Sequence, residues 1–62
     1  MKTQNNFQIG QVVTYKVCAS TYTGQIVEIK ERTLIVIDDI YGMILYDMGY
    51  AVGDEITFNQ VI

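Results

Sequence analysis

Apolar and polar residues alternate along QVVTYKV (11–17): Val13, Tyr15 and Val17 fall on one face, and Val12, Thr14 and Lys16 on the other. A period of two predicts a half-buried β-strand. CASTYTG (18–24) reads as an uncharged loop. QIVEIKE (25–31) is predicted as a second strand, with Val27 and Ile29 inward and Ile26, Glu28 and Lys30 outward. ERT (31–33) makes a tight connection into TLIVID (33–38), a β-branched third strand. DIYG (39–42) reads as a turn on Gly42, and MILYD (43–47) as a fourth strand. MGYAVGDE (48–55) is a glycine-punctuated connection, and ITFNQVI (56–62) a fifth strand with Ile56, Phe58 and Ile62 inward. Residues 1–6 are expected to be a flexible polar lead-in, and residues 7–62 a single domain.

No window has helical periodicity of useful length, and turn signals recur every 8 to 12 residues or so. The expectation is an all-β fold, a small barrel of five strands, because a flat sheet would leave one apolar face in water. Four glycines are expected to mark structural turns: Gly10, Gly24, Gly42 and Gly53.

The chain writes one phrase twice. FQIGQVVTY (7–15) and YAVGDEITF (50–58) share aromatic, x, aliphatic, Gly, x, x, aliphatic, Thr, aromatic. In both, the glycine permits a positive φ just before a strand whose next aliphatic residue points inward. In a barrel, these would be two matching turns on the rim of one core.

The third and fourth predicted strands break the alternation. Leu34 and Val36 fill one face and Ile35 and Ile37 the other; Ile44 and Tyr46 oppose Met43 and Leu45. One core cannot cover both faces in so short a chain unless another segment folds over them. The pattern therefore predicts an apolar outer surface of Ile35, Ile37, Met43 and Leu45, flanked by Tyr41 and Tyr50. Segment 41–50 holds three Tyr and two Met, residue types suited to contact surfaces. Tyr22, in the predicted loop, is the side chain that could stack on a base.

Composition narrows the chemistry. At 62 residues there is room for one small core of marginal stability. One cysteine excludes an internal disulfide, and with no histidine a metal cage or a nucleophilic triad lacks its members. No enzymatic activity, cofactor or metal is expected. Cys18 is expected to be a small buried residue at the end of the first strand. The carboxylate pairs Asp38-Asp39 and Asp54-Glu55 are sequence neighbours, which on a strand point to opposite faces. Self-association is the stabilising device left open, so a homo-oligomer is expected. No apolar run is long enough to span a bilayer, and a cytoplasmic setting fits the lone thiol.

The net charge of −3 is unevenly laid out. All four bases (Lys2, Lys16, Lys30, Arg32) lie in residues 1–32 with two acids, while residues 33–62 hold five acids and no base. Three spread cations on an acidic chain track phosphate weakly. In the predicted hairpin Lys16 stands roughly 15–20 Å from Lys30 and Arg32.

IGQVVTYK (9–16), then TGQIVEI (23–29) and TLIVID (33–38), resembles the text of SH3-like barrels of the KOW type. Small proteins of Gram-positive bacteria and their phages carry similar text. The resemblance spans residues 9–38 and implies a small five-stranded SH3-like barrel in contact with RNA, ribosome or polymerase. Its basic RNA-binding loop has no counterpart in CASTYTG. The expected function is thus a non-enzymatic protein-interaction module, self-associating and binding a host or regulatory protein. The KOW-like nucleic-acid contact is the alternative.

Overall fold

The computed structural model describes residues 7–62. The expected lead-in at 1–6 lies outside the described residues. Four antiparallel strands follow one another as a meander: β1 (Val12–Val17), β2 (Ser20–Ile29), β3 (Thr33–Ile37) and β4 (Asp54–Thr57). One helix, α1 (Ile40–Asp47), interrupts the sheet between β3 and β4. The sheet curls into a half-barrel. After β4 a 3-10 turn (Phe58–Gln60) swings the chain round, so that Val61 bridges Tyr15 of β1 and Ile62 N–H donates to Thr14 O at 2.8 Å. Gln60 fixes that turn at both ends. Its Oε1 accepts from Thr57 N–H at 2.8 Å, and its Nε2 donates to Lys16 O at 3.0 Å.

One core fills the concave side: Phe7, Val13, Tyr15, Ile26, Leu34, Val36, Ile56 and Val61, with Ile29 and Phe58 packed at its margin. Phe7 and Phe58, from opposite ends of the described chain, stack with centroids 5.6 Å apart. Val13 and Tyr15 point inward as their alternation predicts. Val17 is exposed instead, because the β1–β2 hairpin runs on past the barrel to a loop of Cys18 and Ala19. Most of the segment expected to be a loop is therefore strand, and Cys18 is exposed at its tip rather than buried.

β2 departs from strict alternation. The register with β3 shifts between Ile26 and Glu28, leaving Val27 as the extra residue of a β-bulge. The bulge resets the phase, so Ile26 is fully buried, contrary to its predicted outward position, while Ile29 still leans on the core. At the C-terminus the 3-10 turn does the same. It turns Val61 inward and Ile62 out, reversing the orientation expected of Ile62.

The largest correction is α1. MILYD (43–47) is helical, as is most of the segment expected to turn on Gly42. Both ends carry good helix signals. Asp39 is the N-cap, and its Oδ1 accepts from Gly42 N–H at 3.2 Å. Gly49, at φ +97°, ends the helix: Gly49 N–H donates to Tyr46 O and Tyr50 N–H to Leu45 O, the two bonds of a Schellman motif. A short apolar run does not distinguish strand from helix by its own pattern. Here the caps close the two ends of the helix, and its seating on Ile37 of β3 selects it over a strand.

Candidate interaction surface

α1 lies over the convex face of β3, which the alternation left apolar. Ile35 is half-buried and Ile37 only 4% exposed. A Cβ placed on Gly42 would come within 2.8 Å of Ile37 Cγ2 and 2.7 Å of Asp39 Oδ1, so the helix backbone rests directly on the strand. Tyr46 reaches further, its hydroxyl donating to Val27 O at 3.3 Å. The bulge thus turns out a carbonyl that the helix satisfies. Gly53, at φ +105°, closes over the back of β3 from the β4 side, where a Cβ would stand 2.9 Å from Ile35 Cγ2 and 3.1 Å from Ile37 Cγ1. The result is a small second apolar layer on the back of the sheet.

The predicted contact surface is therefore divided. Ile35 and Ile37 lie under α1 and Gly53, Met43 and Leu45 are half-buried, and only Tyr41 and Tyr50 are exposed. Gly24 is no turn either. It sits buried within β2, where a Cβ would meet Ile37 O at 3.0 Å and Tyr15 Cε1 at 3.3 Å. Gly42 is a helix residue, and Gly10, at φ +92°, does stand in a turn.

A different apolar set is exposed. Ile40 (79%), Tyr41 (66%), Ile44 (52%) and Met48 (65%) are open to solvent. Positions 40, 44 and 48 recur every four residues and Tyr41 falls beside them, so the four share an arc of about 100°. No residue of α1 is fully buried. An apolar helix is normally enclosed; this one, uncharged until Asp47, is covered on its inner side alone. Val12, also exposed, continues the apolar surface across a groove lined by Gly24, Ile37, Ile40 and Met43, with Asp38 and Asp39 at its edge.

Charge frames the same region. Asp38, Asp39 and Asp47 are exposed around α1, and none forms an ion pair among the described residues. The pair present, Lys30–Glu55 at 3.8 Å, lies on the surface and links the β2–β3 turn to β4. Lys16 pairs with Thr21, nine residues before Lys30 just beyond the end of β2, or about 30 Å of extended chain. That exceeds the roughly 15–20 Å expected of a hairpin that turns at 18–24. Among the described residues no group of three or more Cys, Asp or Glu is placed to hold a metal, and no helix is long and apolar enough to cross a membrane.

No family model, no curated protein and no solved structure matches this chain.

Proposed function

We propose that this chain is a non-enzymatic protein-interaction module whose contact surface is the outer stripe of α1: Ile40, Tyr41, Ile44 and Met48. The observation that carries the reading is that this helix, uncharged on every side until Asp47, is covered on one side and open on the other. Its caps and its seating on Ile37 hold the stripe rigid, which lowers the ordering cost of binding. The scaffold is proposed to be a small SH3-like barrel of the KOW type. The meander, the 3-10 turn and the Tyr15–Val61 bridge support it, with the last two residues standing in for the fifth strand. The exposed thiol of Cys18 fits a reducing, cytoplasmic setting.

The test is photo-cross-linking in cells of the source organism. A benzophenone side chain replaces Tyr41 or Ile44, with Asn59, exposed on the 3-10 turn and outside the groove, as control. The expected result is a discrete protein adduct from positions 41 and 44 and none from 59. Adducts to RNA from any position would favour the nucleic-acid alternative, and no adduct from 41 or 44 would overturn the reading.

A further inference from the structure

We infer that the partner's contact element is a cationic amphipathic helix, an apolar stripe flanked by Lys or Arg, and not a second copy of this chain. The inference rests on the outer stripe of α1 being a contact surface, and adds to it the chemistry of the occupant.

The argument starts from Asp47, the last residue of α1. The helix macrodipole is negative at that end, so a carboxylate there is unfavourable and a base is the stabilising choice. No basic residue occupies the last turn, and Asp47 has no ion-pair partner among the described residues. It stands three positions after Ile44 and seven after Ile40, on the side of the helix that carries the stripe. Folding does not explain a charge so placed. A cation docked beside the stripe would relieve it. At the other end of the stripe Asp38 and Asp39 border the groove beneath Ile40. The apolar surface is thus flanked by carboxylates at both ends, and no base follows residue 32.

The same charges disfavour a homodimer through this face. Two stripes packed antiparallel bring Asp39 of one copy toward Asp47 of the other; packed parallel, they set each acid against its own image. Both arrangements place carboxylates together at the margin of a desolvated contact, which is destabilising. A helix with Lys or Arg beside its apolar stripe meets the face with opposite charge and sets an apolar side chain toward the groove between Val12 and Met43.

The test uses two synthetic amphipathic helices with the same Leu stripe, one bearing Lys and the other Glu on the remaining faces. Binding to the full chain is followed at neutral pH by amide chemical shifts. The Lys helix is expected to perturb residues 40–48 and to bind at least about tenfold tighter than the Glu helix, a difference of about 1.4 kcal/mol. Asp47→Lys, which suits the helix dipole and leaves the fold intact, is expected to narrow or reverse that preference. Ile44→Asn is expected to abolish binding of both. Equal binding of the two peptides at α1 would overturn the charge inference and leave the contact surface standing. Cross-linking of position 41 to a second copy, or wild-type dimers that Ile44→Asn dissolves, would replace the cationic helix with self-association. Shifts confined to residues outside α1, with no adduct from positions 41 and 44, would overturn both readings.

Discussion

Gly42 stands on Ile37: the helix backbone and the strand side chain are so close that a methyl group on Gly42 would lie 2.8 Å from Ile37 Cγ2. Ile37 is β-branched and buried, so that methyl cannot swing aside freely. Gly42→Ala therefore gains about 1 kcal/mol of helix propensity and loses more to overpacking, about 1–3 kcal/mol. Urea unfolding is expected to show a net loss of stability. A more stable Gly42→Ala chain would mean that α1 is not seated on β3.

The two copies of the repeated phrase give unequal costs. Gly10 and Gly53 both have positive φ, at +92° and +105°, so alanine costs about 1 kcal/mol at either. Space separates them. A Cβ at Gly10 meets only Gln25 Nε2 at 3.9 Å, whereas one at Gly53 meets Ile35 Cγ2, Ile37 Cγ1 and Val36 O at 2.9–3.1 Å. Gly53→Ala is expected to lower the unfolding midpoint distinctly more than Gly10→Ala. Equal midpoints for the two variants would contradict the packing of the 48–53 connection against β3.

Cys18 occupies the first position of a two-residue hairpin loop at φ +56°, where type II′ geometry favours glycine. Cys18→Gly is expected to stabilise the chain by several tenths of a kcal/mol, since relief of the left-handed strain exceeds the added backbone entropy of the unfolded state. The native thiol should also react fully with a disulfide reagent without denaturant, because it is exposed. A thiol that reacts only after unfolding would place Cys18 in the interior.

Tyr15 is fully buried, and its hydroxyl has no hydrogen-bond partner among the described residues. Burial, and then the nearby negative charges of Asp38 and Asp54, raise its pKa above the ordinary 10.0. The folded chain thus holds the phenolic proton after the unfolded chain has released it. The stability this group contributes is complete below pH 10.0 and is lost as pH rises through the higher folded pKa. Tyr15→Phe is expected to be close to neutral at pH 7, within about 1 kcal/mol, because it removes an unsatisfied polar atom and keeps the ring. Above pH 10.0 the parent should lose stability faster than the variant. A loss of several kcal/mol at pH 7 would show that the hydroxyl is hydrogen-bonded in the native state.

The sequence by itself determined what depends on local period and turn chemistry. The alternation of β1 placed Val13 and Tyr15 in the core, and the β-branched run of β3 placed Leu34 and Val36 there. The doubled aliphatic-glycine phrase marked two backbone reversals at Gly10 and Gly53. The alternation predicts an exposed contact face at Ile35 and Ile37, whereas α1 and Gly53 cover it. Tertiary structure decided the rest. Segment 40–46 carries no charged residue at any phase, so neither a period of two nor one of 3.6 stands out, and two sides of the helix meet different surroundings: the back of β3 and open solvent. A helix capped by Asp39 and Gly49 covers the first with the bare backbone of Gly42, and Tyr46 reaches past it to Val27 O. A fourth strand would have left Ile35 and Ile37 in water. The burial of Ile26 and Val61 likewise required a bulge and a 3-10 turn, each of which shifts a strand's phase by one residue. Such shifts are set by pairing with distant strands, and the local pattern of a strand holds no record of its partner.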